Sequence, residues 1–244
     1  MATGPQDKLA NDANVAYRKA FAGFNRHAHT VATITPLLDG GECFVAKPLR
    51  DGVEVNGALR IERLPRERSD GEPDPREPRI CVLLESRDFY RPDADPDHGE
   101  GRKLAHSAVR MGYYKPVKTT WKTLLGIRYD YEFRGARGRH PIFHAQFDNG
   151  ELHERSVRLF PNLPDIEKLG DVLKGVRVPT ANVVGATALL KLAADHLSLQ
   201  SFLAVQNEIA SLPFFQNWRC DLRSLDDPES PPKMLSCGWY GTRQ

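Results

Sequence analysis

IRYDYEFRGARGRHPIFHAQFD, residues 127–148, is the stretch whose reading decides the fold. Ile127, Tyr129, Tyr131 and Phe133 alternate with Arg128, Asp130 and Glu132; Phe143, Ala145 and Phe147 alternate with His144, Gln146 and Asp148. Successive side chains of a strand point to opposite faces, so this period of two predicts a pair of half-buried strands with one aromatic and one polar face. Residues 134–142, rich in arginine and glycine and holding Pro141, read as the loop between them. Opposite residues on antiparallel strands share a face, which permits the register Glu132–His144, Asp130–Gln146 and Arg128–Asp148. That register also stacks Phe133 on Phe143 and Tyr129 on Phe147. Each such pair contributes roughly 0.2–1 kcal/mol, so packing alone accounts for the arrangement.

Outward from this hairpin, Asp148-Asn149-Gly150 predicts a turn into a third strand, 151–160, and 162–174 reads as a short helix. Val178-Pro179-Thr180 then opens the strongest helical segment, with Thr180 as N-cap and an apolar run through Leu197. A helix apolar on most of its circumference packs across a sheet. A second, amphipathic helix covers about 201–212 and stops at Pro213. Before the hairpin, a helix spans about 7–27, with Leu9, Ala13, Ala16, Ala20, Phe21 and Phe24 as its apolar stripe. Strand-like runs follow at 30–35, 42–46 and 58–64, with turns at Asp39-Gly40-Gly41 and Asp51-Gly52. ICVLLE, residues 80–85, suits a central strand, although a buried helix fits the same run. Residues 104–111 read as a short helix. Exposed loops are expected near 65–78 and 91–102, and an extended tail after 226.

Helix, several strands, then helices predicts an α+β fold: a mainly antiparallel sheet, a meander around 127–160, packed by an N-terminal helix and C-terminal helices. The expectation is one domain over 1–244. With 40% apolar and 27% charged residues, the chain has an ordinary globular composition. A net charge of +2, from 34 basic and 32 acidic residues, implies no polyanionic or membrane partner by itself. Cys43, Cys81, Cys220 and Cys237 are scattered, with no C-x-x-C pair, so free thiols are expected. No signal-peptide pattern or membrane-length apolar run is present, which predicts a cytoplasmic location.

Three chemistries fit the residues. The first is local charge: residues 110–139 hold Arg110, Lys115, Lys118, Lys122, Arg128, Arg134, Arg137 and Arg139 against only Asp130 and Glu132, interleaved with Tyr113, Tyr114, Trp121, Tyr129 and Tyr131. Cations engage phosphates and rings stack on bases, so this segment suits nucleic acid. Arg134, Arg137 and Arg139 would be the main contacts, with Lys118 and Lys122 as secondary ones. The second is acid–base chemistry by Asp130, Glu132 and His144, as in a metal-dependent hydrolase or nuclease. The two carboxylates would hold a cation or act as base, and His144 would move protons. His140 and His144 do not themselves read as a metal pair, because four strand residues span roughly 13 Å. The third is a purely structural subunit, with a protein partner or a second copy on the aromatic side or the tail. A P-loop, a G-x-G-x-x-G and a G-x-S-x-G elbow are all missing, and no cofactor is expected. His196 shares a face with Leu189, Leu192 and Ala193, so it reads as a packed structural histidine.

The combination RYDYEF, HPIFHAQF, VPT and ADHL, within about residues 125–212, resembles a group of uncharacterised bacterial proteins. Its marks are the aromatic–acidic strand, His140-Pro141, His144, Pro179-Thr180 and Asp195-His196. The resemblance implies an accessory role beside mobile elements and defence genes, and it carries over no catalytic residue. The leading expectation is therefore an accessory protein contacting nucleic acid, or a nucleic-acid-handling partner, through residues 110–139.

Overall fold

Pro5 opens the first helix, α1 (Pro5–Ala28), where its fixed φ suits the first helical position and its missing N–H costs nothing. The Gly4 N–H donates to the Asp7 carboxylate at 3.0 Å, which supports the same end. Leu9, Ala13, Ala16, Tyr17, Ala20 and Phe24 recur at helical spacing and are all buried. This computed structural model describes residues 4–66, 78–93, 101–118, 120–132, 143–147, 177–179, 183–216 and 218–220. At 93, 101–103, 120, 132, 143, 177–179 and 218–220 the description is of the backbone.

Eight strands follow α1: β1 (Thr33–Pro36), β2 (Phe44–Leu49), β3 (Gly52–Pro65), β4 (Arg79–Asp93), β5 (Gly101–Val117), β6 (Thr120–Glu132), β7 (Phe143–Phe147) and β8 (Arg177–Pro179). They lie in the order β1-β3-β4-β5-β6-β7-β8, each neighbour antiparallel, with β2 sharing the β3 edge. Helices α2 (Gly185–His196), α3 (Leu199–Ala210) and α4 (Pro213–Gln216) come next. A last strand, β9 (Trp218–Cys220), runs parallel to β5 at Arg102–Leu104. The architecture is α+β, a largely antiparallel sheet with an N-terminal helix and C-terminal helices.

Parity along the strands separates two faces. Ile80, Val82, Leu84, Ser86, Asp88 and Tyr90 on β4 align with Val53, Val55, Leu59 and Ile61 on β3 and with Ser107, Val109 and Met111 on β5. The apolar members of this set share one core with α1, α2 and α3. Burying a side chain such as Leu84 contributes about 1.5–3 kcal/mol. On the other face Cys81, Leu83 and Tyr114 form a small separate cluster with Leu37 and Trp121. No described helix packs there. This explains why ICVLLE reads as a continuous apolar run: β4 is covered on both sides at that point.

Several expectations change. Residues 104–111 are strand, not helix, because β4 and β6 pair with them on either side. Leu104, Ala108 and Met111 also fit a helical spacing, which made the segment ambiguous. The expected helix at 178–180 begins instead at Gly185, and Arg177–Pro179 is β8, paired with β7. The Val184 N–H donates to Thr187 Oγ1 at 2.8 Å, so α2 takes its N-terminal support from Thr187. Arg91–Asp93 and Gly101–Arg102, expected as loop, extend the β4–β5 ladder. The hairpin register is offset by two residues: Asp130, not Glu132, lies opposite His144, and Gln146, not Asp148, opposite Arg128. A slip of two leaves every residue on the same face, so alternation cannot distinguish these registers. The third strand at 151–160, the helix at 162–174, Thr180 and the tail after 226 lie outside the described residues.

Candidate functional site on the helix-free sheet face

The ladders place charged residues in rows across the face that carries no described helix. One row runs Glu85, Arg110, Arg128, Gln146 over β4, β5, β6 and β7. The next runs Arg87, Ala108, Asp130, His144. Beyond it, Phe89 is opposite His106, and the Arg91 guanidinium lies 5.8 Å from the Phe89 ring centre. Arg87 meets Glu54 of β3 at 2.6 Å, and Arg60 meets Glu62 at 3.5 Å. Burial pushes the Glu54 carboxyl upward, but hydrogen bonds from Asn56 and Arg87 outweigh it and hold the group below its ordinary value.

At the centre of this face, Arg128 Nε lies 2.8 Å from Asp130 Oδ1 and 2.7 Å from Oδ2. His144 Nε2 is 3.6 Å from Asp130 Oδ2, an ion-pair distance longer than a hydrogen bond. Asp130 is 8% exposed and His144 only 3%. The hairpin's polar side, expected from alternation, is therefore largely buried at these two residues. The expected burial of Tyr129 and Tyr131 on the opposite side is observed. Chemically, the carboxylate can orient the imidazole and stabilise its protonated form while Arg128 supports the carboxylate.

The β5–β6 ladder also sets two like-charged pairs directly opposite each other, Arg110 with Arg128 and Lys115 with Lys122. Lys115, Lys118 and Lys122 are exposed at the hairpin end. Lys118 has φ 54, a left-handed conformation that glycine adopts at lower cost. The sequence grouped these lysines with Arg134, Arg137 and Arg139. Lys122 is near the start of β6, whereas the chain enters the arginine loop after Glu132 at its far end. Ten strand residues separate those points, roughly 33 Å. The three loop arginines lie outside the described residues, and of Glu132 only the backbone, opposite His106, is described. Of the interleaved aromatics, Tyr129 and Tyr131 join the main core, with Tyr113 packed against it, while Tyr114 and Trp121 belong to the helix-free side.

A second polar centre, on the helix-covered face, escaped the sequence reading. Asp88 is fully buried and contacts Tyr17 of α1, Ser107 of β5 and the Gly185 N–H at the head of α2. A signal was present: Ser86 and Asp88 fall on the apolar parity of Ile80, Val82, Leu84 and Tyr90. A carboxylate at such a position needs partners from elsewhere in the fold. The Ser86 hydroxyl is wedged between Gly57 and Gly185, where a Cβ added to either glycine would lie 2.5 or 2.4 Å from its oxygen. Those glycines let α2 approach the sheet closely. His196 is packed as expected, 5% exposed, with Nδ1 2.9 Å from the Pro65 carbonyl oxygen.

Among the described residues no group of three His, Cys, Asp or Glu side chains could hold a metal ion. No described helix is long and apolar enough to cross a membrane. No protein-family model matches the chain, and no curated protein or solved structure matches it.

Proposed function

We propose that the chain contacts a nucleic-acid strand through the helix-free sheet face and the basic end of the β5–β6 hairpin, as an accessory to a nucleic-acid-handling partner. The observation that carries this reading is the recurrence of like-charged cross-strand pairs, Arg110–Arg128 and Lys115–Lys122, in one ladder. Such pairs gather cations along one ladder, and the phosphates of a polyanion can engage them in addition to partners such as Asp130. Alternation points the lysine pair to the other side of the sheet from the arginine pair. Among the described residues β7 pairs with β6 only from Ile127 on, and a strand crossing β6 before that point would reach both. Lys118 supports the same reading, since its left-handed backbone presents a cation where glycine is less strained. The loop arginines Arg134, Arg137 and Arg139 extend the contact surface in this proposal.

The test is fluorescence anisotropy with labelled mixed-sequence single strands and duplexes over a salt series. Binding is expected to weaken steeply with salt. Replacing Lys115, Lys118 and Lys122 together by alanine should reduce the salt slope by about 2–3. Binding indifferent to salt and to these changes contradicts the proposal.

A second reading is supported by the Asp130–His144 juxtaposition: hydrolysis, as in a nuclease, with Asp130 and Glu132 as cation holder or base and His144 as proton carrier. Cleavage of an oligonucleotide with added Mg²⁺ or Mn²⁺, lost in Asp130→Asn and His144→Ala, would support it. Equal cleavage by wild type and both variants would exclude it.

A further inference from the structure

Asp88 sits where α1, α2 and the sheet meet. Its Oδ2 is 2.8 Å from the Tyr17 hydroxyl and 2.9 Å from the Gly185 nitrogen, whose N–H donates to it. The Tyr17 hydroxyl is in turn 2.7 Å from that of Tyr90. Its Oδ1 is 2.8 Å from Ser107 Oγ, which also lies 2.7 Å from the Val183 carbonyl oxygen. Among the described residues, these five contacts link the group.

The hydrogens can be counted. Tyr17, Tyr90, Ser107 and the Gly185 N–H supply one each, four in all, so an ionised Asp88 leaves one contact without a hydrogen. The shortage falls on Ser107, whose single hydrogen faces two oxygens. An oxygen–oxygen contact below 3 Å without a hydrogen is repulsive, and burial keeps water from relieving it. A proton on Oδ1 resolves the conflict: Asp88 donates to Ser107, Ser107 donates to Val183, and Tyr17 and Gly185 donate to Oδ2.

We infer that Asp88 is a proton-operated latch, closing α1 and the head of α2 onto the sheet when its carboxyl is protonated and loosening them when it ionises. The groups facing it are Tyr17 from α1, Tyr90 from β4, Ser107 from β5 and the backbone head of α2. The rings of Phe44, Phe214 and Phe215 close around Tyr17 from β2 and α4. No charged side chain among the described residues figures among the influences on Asp88. Burial dominates, pushing the carboxyl from 3.8 up to about 6 against the bonds from Gly185, Tyr17 and Ser107.

The sign follows from linkage. A carboxyl whose folded value lies above its unfolded value holds its proton longer in the folded state. Its contribution is therefore fully present below the ordinary carboxyl range and is lost as pH rises through about 6. A rise from 3.8 to about 6 corresponds to about a 100-fold change in the equilibrium.

The test combines hydrogen exchange of the α2 amides, corrected for intrinsic rates, with a ¹³C titration of the Asp88 carboxyl in the full chain. Between pH 5 and 7.5, protection of the first turn of α2 should fall by at least tenfold. In Asp88→Asn, whose amide can donate to Ser107 and accept from Tyr17 and Gly185, protection should be level across that range. The carboxyl resonance should titrate above pH 5.5. A midpoint near the ordinary value of 3.8, or wild-type protection that does not change with pH, overturns the latch. The carboxyl titration decides the matter even where the variant does not fold.

Discussion

Asp88 and Asp130 occupy neighbouring rows of one sheet, two strands apart, and each is less than a tenth exposed. Their surroundings differ in kind. Asp88 faces the helices and meets hydroxyls and one helix N–H. Asp130 faces away and meets a guanidinium and an imidazole. The helix-covered side uses a carboxyl to seat one layer on another, with no cation among the described residues to stabilise its charge. The other side uses carboxyls as counter-charges within a lattice of arginines. Glu54 and Asp88 show the same contrast in their titration, the first held low by Arg87 and Asn56 and the second pushed up by burial.

The largest expected effect compares the two packing clusters. Leu84→Ala, on the helix side, should lower stability by about 4 kcal/mol, and Leu83→Ala, in the smaller cluster, by about 2 kcal/mol. Equal losses in urea unfolding would erase the distinction between the faces. Asp130→Ala should cost about 3 kcal/mol, because it removes the buried carboxylate that Arg128 and His144 share. A loss under 1 kcal/mol would show that this pair is effectively solvated.

The acid limb of the stability profile should carry both titrations with opposite signs. As pH falls from 7 toward 5, protonation of Asp88 should raise the urea midpoint. Below the ordinary Glu54 value of 4.5, loss of the Arg87 contact should lower it. Asp88→Asn should remove the rise and keep the later fall; a profile unchanged by that substitution breaks the comparison. Tyr17→Phe, which removes a buried hydroxyl between Asp88 and Tyr90, should cost about 1–2 kcal/mol at pH 5. The smallest effect is at the hairpin end. Lys118→Gly should raise stability by roughly 0.5–1 kcal/mol while weakening oligonucleotide binding, if that lysine is held in a strained conformation for contact.

The alternation around residue 130 was enough to place β6 and β7 and to sink Tyr129 and Tyr131, because a strand's faces depend only on parity. Parity also explains the misplaced register, since a slip of two preserves it. The spacing of residues 104–111 serves both periods, and only pairing with β4 and β6 decides between them. The start of α2 depended on Thr187 and on the distant Asp88, neither of which local N-cap chemistry at Thr180 signals. The Asp130–His144 neighbourhood was legible to within one rung. The Asp88 network was not, because it joins residues 71 positions apart, Tyr17 and Asp88, through tertiary packing.

The claim that the helix-free face is the working one is tested most directly by NMR of the arginine Nε–H groups while a single-stranded oligonucleotide is added. The account predicts that the Arg110 and Arg128 signals shift in a salt-sensitive, saturable way, while the ring signals of Tyr17 and Tyr90 on the covered face stay still. Shifts confined to the helical side, or arginine signals unmoved at concentrations where anisotropy reports binding, would contradict it.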